Sequence, residues 1–228
     1  YPGKEKIKMS TNPSIDIVIP LYNEEKILAE SVKKLIIFLT KSHFPYQYVI
    51  TLANNASTDR SASIAAALAR EFPQVQVLDL DQKGKGLAIR TAWSRSEGEV
   101  LSFMDIDLSS DLNYFLPLIK AVISDHFDIA IGNRRGRGSQ VFSKKFMRKA
   151  ASWVYNASVR SLLHTANDDH QCGFKAMKRE AFLKIAPVLE ENGFFFDTEL
   201  LAVAARRGLT VKSIDIVWHD SKESKVSL

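Results

Sequence analysis

The sequence predicts an α/β domain with a mostly parallel central sheet flanked by helices. Three observations predict it. Short β-branched apolar runs alternate with helical-period segments through the first 131 residues. That alternation is the pattern of crossover units, whose parallel strands are covered on both faces. The chain has 228 residues, 46% hydrophobic and 25% charged, which supports one large core without covalent staples. It holds one cysteine, Cys172, which excludes an internal disulfide framework and suits a reducing compartment.

Each element follows in order. Residues 15–19 (IDIVI) form a β-branched run closed by Pro20, a strand. Residues 25–40 place Ile27, Leu28, Val32, Leu35, Ile36 and Leu39 at helical spacing. Strands are expected at 48–53, 75–80, 100–104 and 127–131, and helices at 58–71, 87–96 and 111–124. The back half is less regular. A long helix is expected at 144–163, further helices at 179–189 and 198–207, and a strand at 210–218. Gly208 ends the last helix. With no repeat and no Pro/Gly linker, the division is one domain over 1–228, with a front half at 1–131 and a back half at 132–228. No apolar run approaches the 18 residues that span a bilayer. The chain starts at Tyr1, not Met, so a fragment or a processed chain is expected.

Charge is concentrated. The net charge is +5, and the segment 133–149 carries seven basic residues and no acidic one, leaving −2 for the rest. Such a segment suits an anionic partner: a phosphate, a nucleic acid or an acidic membrane surface. The bland alternative is a solvated loop. Only Phe142 and Phe146 interleave with the basic run, which argues against nucleic acid.

In open α/β sheets ligands bind beyond the carboxyl ends of the strands, so the segments that follow strands are the candidates. Pro20-Leu21-Tyr22-Asn23-Glu24 follows the first strand. Asn54-Asn55-Ala56-Ser57-Thr58-Asp59 follows the second. There Asn54 or Asn55 suits a nucleobase edge, and Ser57 or Thr58 suits a helix cap. Lys83-Gly84-Lys85-Gly86 places two glycines beside two lysines ahead of a helix, which suits a close approach to phosphate. It is neither a P-loop nor a dinucleotide fingerprint. Asp105-Ile106-Asp107 ends an apolar strand. Extended geometry points both carboxylates to one side. Paired carboxylates repel unless a cation sits between them, and Mg²⁺ or Mn²⁺ shared with substrate phosphates is the natural one. The alternative is a polar strand end in which Ser110 or Asp111 caps the next helix.

Together these segments resemble the nucleotide-sugar glycosyltransferases of family 2, which have the GT-A fold. The resemblance continues through Gly132-Asn133-Arg134, Gln171-Cys172-Gly173-Phe174-Lys175, Phe196-Asp197-Thr198-Glu199 and Ser224-Lys225-Val226-Ser227. Within the family the chain is most similar to the polyprenyl-phosphate (dolichyl-phosphate) glucose and mannose synthases. The resemblance implies a GT-A domain whose residues 1–131 bind the nucleotide sugar and whose residues 132–228 bind the acceptor. Asp105 and Asp107 match the metal-binding pair that holds the donor diphosphate. Pro20, Tyr22 and Glu24 match the first nucleotide-contacting segment, with Asn54, Lys85 and Ile106 as further donor contacts. Asn54 stands where many relatives carry Asp. Ser109 stands where mannose synthases often carry a further metal ligand, and His219 is a possible substitute for it. Arg134 matches the arginine of a Gly-Ser-Arg segment, with Asn133 in place of Ser, and is expected with Arg148 to clamp the acceptor phosphate. Arg148 and Ser152, four apart on the expected helix, match the pair that receives the acceptor phosphate.

The activity implied is inverting transfer of a hexose to a polyprenyl phosphate, from UDP-glucose in preference to GDP-mannose. It would occur on the cytoplasmic side of an anionic membrane surface, with Mg²⁺ or Mn²⁺ as cofactor. A lipid phosphate is largely anionic near neutral pH and requires no strong base. A hydroxyl acceptor would require one, with Asp197, Glu199 and Asp169 as candidates. Three alternatives stand beside this reading: a family 2 enzyme with a saccharide hydroxyl acceptor, a sugar nucleotidyltransferase, and a non-catalytic binding module. The sequence carries no signal of oligomeric state. Cys172 has only His170 beside it as an activator, so it is expected to be a packed residue.

Overall fold

The computed structural model describes residues 12–142 and 169–220. In chain order they form β1 (Ser14–Leu21), α1 (Leu28–Lys41), β2 (Gln47–Asn55), α2 (Ser61–Glu71), β3 (Val75–Leu80), α3 (Lys85–Arg95) and β4 (Val100–Met104). A 3₁₀ turn at Leu112–Tyr114 leads into α4 (Phe115–Ile123), followed by β5 (Ile129–Asn133) and β6 (Gln140–Phe142). After residue 168 come β7 (Phe174–Lys178), α5 (Arg179–Ile185), α6 (Phe196–Arg206), β8 (Val211–Asp215) and β9 (Val217–His219). The helix expected at 144–163, and with it Arg148 and Ser152, lies outside the described residues, as does the segment 224–227.

The main sheet has seven strands in the order β3-β2-β1-β4-β7-β5-β8. Only β7 runs against its neighbours, pairing antiparallel with β4 and β5. The sheet is therefore mostly parallel, as expected. β6 and β9 pair separately in a small parallel ribbon. Chain order reverses at β1: β2 and β3 extend to one side, and β4 returns on the other. This reversal is the switch point at which an open sheet parts its loops into a crevice.

Both faces are covered, because β1 alternates. Ile15, Ile17, Ile19 and Leu21 pack into one core with α1, α2 and α4. Val18 points into the other, with Trp93 of α3, Phe182 of α5, and Phe196 and Leu200 of α6. Trp93 is fully buried, packs 5.3 Å from Phe182 and 5.8 Å from Phe103, and donates from Nε1 to the Ser102 carbonyl.

Two expectations are corrected. β7 was not expected as a strand. Four of its five residues are buried, but Lys175 and Lys178 interrupt the apolar run and no β-branched residue marks it as a strand. The single strand expected at 210–218 is two strands, because at Ile216 the chain changes partner: its N–H still donates to the Asn133 carbonyl at the end of β5, while its carbonyl accepts from the Gln140 N–H at the start of β6.

Candidate active site

The site gathers at the carboxyl ends of β1, β2 and β4, with α3 and the 169–173 turn closing it. The β1 and β2 loops are stitched together by side chains. Asn23, in the left-handed region at φ 56°, donates from its backbone N–H to Ser57 Oγ and accepts from the Thr58 N–H at its own Oδ1. The Glu24 N–H donates to Ser61 Oγ at 2.8 Å. Ser57 and Thr58 therefore tie one loop to the other and do not cap α2. Asp59 takes the local role, accepting from the Ser61 N–H at 2.9 Å.

The two asparagines are also committed within the protein. Asn55 donates to the Leu21 carbonyl and accepts from the Gly84 N–H, clamping β1 to the start of α3. Asn54 donates to Asp79 Oδ1 at 2.8 Å and accepts from the Ser57 N–H. Pro20, Tyr22 and Glu24 are half-buried in the crevice wall, and Lys83 Nζ lies 3.9 Å from the Tyr22 ring centroid.

Asp105 and Asp107 are not in extended backbone. The Leu108 N–H donates to the Asp105 carbonyl at 3.1 Å, closing a β-turn, and Leu108 has φ 48°. The turn buries Ile106 and sets both carboxylates on one small open pocket, together with Ser109 and Gly173. Asp111, not this pair, caps the following turn by accepting from the Asn113 N–H. Asp105 is braced by Gly173: its N–H donates to the Gly173 carbonyl at 3.1 Å, and a Cβ at Gly173 would run into its carboxylate.

A chain of alternating charge runs inward from Asp105. Lys85 Nζ lies 2.9 Å from Asp105 Oδ1 and 3.4 Å from Asp197 Oδ2. Asp197 Oδ1 lies 2.5 Å from the Nζ of Lys175. Lys175 is fully buried and also donates to the carbonyls of His170 and Cys172. Burial alone would lower the Lys85 ammonium pKa, but Asp105 and Asp197 outweigh it and hold it above the ordinary lysine range. Burial would raise Asp197, but Lys175 and Lys85 hold it below the usual carboxylate range. The sequence alone predicts no role for Lys175. The available signal was a lone lysine between Phe174 and Ala176 in a chain segment destined for the core.

Arg134 forms a second buried pair. Its Nε donates to Asp169 Oδ2 at 2.7 Å and its Nη2 to Oδ1 at 2.8 Å. This is a bidentate fork on a carboxylate with no exposed surface. Burial would raise the Asp169 carboxyl, and Arg134 holds it low. The guanidinium also sits 5.7 Å from the Trp218 ring. Arg134 therefore spends this fork on Asp169, where an acceptor phosphate was expected. Glu199 is occupied too, accepting from the N–H groups of Glu190 and Glu191. Cys172 is buried and its thiol is pushed up to about 12 by that burial, as a packed residue should be.

The donor set suits a hard divalent cation. Asp105 and Asp107 supply two carboxylates on one pocket, and the buried Ser109 Oγ beside them has no hydrogen-bond partner among the described residues. Among the described residues no three His, Cys, Asp or Glu side chains converge on one point. His219 is not brought to the two aspartates in this structure. Its backbone N–H donates to the Ser109 carbonyl, but its exposed ring stacks on Phe142 at 4.9 Å and does not join the two aspartates. Diphosphate oxygens and water would complete such a shell.

Carboxylates at the switch point, a lysine-glycine turn at a helix start and a mixed sheet define the class: a GT-A glycosyltransferase. The chain belongs to Glycosyl transferase family 2, whose profile matches residues 16–186. It is 32% identical over 216 residues to the glycosyltransferase AglD of Haloferax volcanii, covering 94% of this chain and 34% of that one. It is 28% identical over 232 residues to the dolichyl-phosphate beta-glucosyltransferase of Saccharomyces cerevisiae, covering 94% of this chain and 69% of that one. The chain thus spans about a third of AglD. Its fold is that of glucosyl-3-phosphoglycerate synthase from Mycobacterium tuberculosis, solved with Mn²⁺ and UDP-glucose. The TM-score is 0.66 at 17% identity, over 94% of this chain and 73% of that one. Among the described residues no helix is long and apolar enough to cross a membrane.

Proposed function

We propose that the chain is the catalytic part of an inverting glucosyltransferase that moves glucose from UDP-glucose to a polyprenyl phosphate at the cytoplasmic surface of a membrane. One observation carries the choice of acceptor. The three carboxylates that a hydroxyl acceptor would need as base are all committed elsewhere: Asp169 to Arg134, Asp197 to two lysines, and Glu199 to backbone N–H groups. Two of them are buried and held ionised by cations, which makes them weak proton acceptors. An acceptor that arrives as an anion needs no such base. The names of the yeast relative and of other relatives, dolichyl-phosphate beta-glucosyltransferases, point the same way for donor and acceptor. The neighbour solved with Mn²⁺ and UDP-glucose supports the donor and the metal.

In this reading Asp105 and Asp107 hold Mg²⁺ or Mn²⁺ against the donor diphosphate, with Ser109 Oγ as a further oxygen beside them. The ion, when bound, neutralises charge that builds on the leaving nucleoside diphosphate. The half-buried segment from Pro20 to Glu24 forms the crevice wall for the nucleoside. Asn54 acts there through Asp79, whose exposed carboxylate it orients. Lys85 offers a cation to the diphosphate, and Ile106 packs the turn beneath it. The basic segment with Arg148 and Ser152 receives the acceptor phosphate. The protein's task is to align two anions and screen them from each other.

The test is transfer of labelled glucose to a short polyprenyl phosphate in detergent, comparing wild type, Arg148→Lys and Arg148→Ala in the full-length protein. A lysine keeps the charge but loses the bidentate fork, so both variants should fall about tenfold or more with donor binding retained. Equal transfer by all three, or use of a soluble hydroxyl acceptor in place of lipid phosphate, overturns the acceptor assignment.

A further inference from the structure

Lys85 is placed to do more than attract phosphate. Its backbone cannot move far: the Gly84 N–H donates to Asn55 Oδ1, the Gly86 N–H to the Gly193 carbonyl and the Leu87 N–H to the Asn192 carbonyl. A Cβ at Gly84 would lie 2.5 Å from the Asn192 oxygen, and one at Gly86 2.6 Å from the Glu191 oxygen. The turn is therefore fixed, and only the four-carbon stem of Lys85 is free to swing. Its ammonium now bridges two unlike carboxylates. The Asp197 side chain is 3% exposed and keeps Lys175 as a second partner, whereas that of Asp105 is 46% exposed on the pocket wall.

An internal counter-ion makes this bridge exchangeable. Lys85, Lys175 and Arg134 pair with Asp105, Asp169 and Asp197, and Asp107 on the same pocket adds one further negative charge, so Asp105 already has a cation before any ion arrives. A divalent cation at Asp105 meets a carboxylate whose counter-ion is in place. It must share that carboxylate with an ammonium or displace it, and like charges at contact repel. A nucleoside diphosphate removes the conflict by giving the ammonium a new anion.

We propose that Lys85 is an exchangeable internal counter-ion: it occupies Asp105 in the empty site and passes to the donor diphosphate when metal and nucleotide enter together. Metal alone then binds weakly, and metal and nucleotide bind cooperatively beyond what direct coordination gives. This rests on the reading that a nucleoside diphosphate binds at this site. Coupling is reciprocal, so the same residue that weakens lone metal strengthens nucleotide once metal is present.

The experiment measures Mn²⁺ affinity by the electron paramagnetic resonance of the free ion, with and without UDP, in wild type and Lys85→Met. Removing the ammonium should tighten Mn²⁺ alone by about tenfold and shrink the Mn²⁺–UDP coupling by a similar factor, within the usual 5- to 150-fold span of such couplings. Lys85→Met leaves Asp197 short of one cation. A second variant, Lys85→Gln, keeps a polar donor toward Asp197 without the charge, leaves the Asp197–Lys175 pair intact, and should show the same tightening. A structure of the wild type with Mn²⁺ and UDP adds a readout without substitution: Nζ should leave Asp105 for a phosphate oxygen. If folded Lys85 variants bind lone Mn²⁺ no more tightly than wild type, or Nζ stays on Asp105 beneath bound metal, the inference is wrong. If wild type binds no UDP with Mn²⁺, the donor reading fails, while the lone-metal comparison still decides the role of Lys85.

Discussion

Lys175→Met tests whether the inner charge chain builds the site. Lys175 has no exposed surface, and its ammonium serves Asp197 and the carbonyls of His170 and Cys172. Methionine fills much of the stem volume but supplies no donor. Removing one partner of a buried ion pair costs about 3–5 kcal/mol. Asp197 retains Lys85 at 3.4 Å, which places the expectation at the lower end, about 3 kcal/mol. For a domain of this size each kcal/mol moves the melting midpoint by about 2–4 °C, so a fall of about 6–12 °C is expected. The loss should also reach the pocket. The freed carbonyls belong to the turn that ends at Gly173, whose own carbonyl holds the Asp105 N–H. Mn²⁺-dependent UDP-glucose binding, measured calorimetrically well below the new midpoint, should weaken about tenfold. Circular dichroism and urea unfolding supply the stability readout. A midpoint within about 2 °C of wild type, or weakened stability with unchanged donor affinity, would refute the reasoning.

Two further outcomes follow from the same geometry. Gly173→Ala places a methyl against the Asp105 carboxylate, so metal-dependent donor binding should fall at least about tenfold while urea stability drops by about 1–2 kcal/mol, the range of modest overpacking; unchanged donor affinity would contradict it. Asp169 and Asp197 have folded-state pKa values below the ordinary 3.8, so their contribution is complete above that value and is lost as pH falls below it. Asp16 has the opposite sign: burial raises its pKa, which costs stability as pH climbs past 3.8. Urea unfolding from pH 7 to pH 3 should therefore show Asp16→Asn more stable than wild type at pH 7, with the advantage vanishing toward pH 3, where both proteins weaken steeply. An advantage that is constant with pH would contradict this assignment.

The legible part of the fold was the part with a clear apolar pattern. α1 to α4 carry a helical stripe and β1 to β5 short apolar runs, and the sequence locates them to within a few residues. β7 is buried on both faces like β4 and β5, but Lys175 and Lys178 interrupt its apolar run and it holds no β-branched residue, so no strand signal shows. At the site, residue types pointed to chemistry, but spacing did not give geometry. The two aspartates share a pocket through a turn that ends in a left-handed Leu108, not through an extended strand. Which polar side chains remain available is a tertiary property. Arg134 and Asp169 are 35 residues apart, and nothing local marks that arginine as already paired. The same holds for Asn54, whose partner Asp79 is 25 residues away, and for Lys175 and Asp197, 22 apart.

In the proposed site Asp105 and Asp107 hold a divalent ion against a nucleotide-sugar diphosphate. The most direct measurement is the melting midpoint of wild type and Asp107→Asn with Mn²⁺, UDP-glucose, GDP-mannose and their combinations. A ligand at one hundred times its dissociation constant stabilises by about 2.7 kcal/mol, or about 5–10 °C here. That rise is expected for wild type only with Mn²⁺ and UDP-glucose together, with a smaller one for GDP-mannose and none for Asp107→Asn, whose own midpoint stays within about 2 °C of wild type. An equal rise in the variant, or a rise with UDP-glucose that Mn²⁺ does not affect, would contradict it.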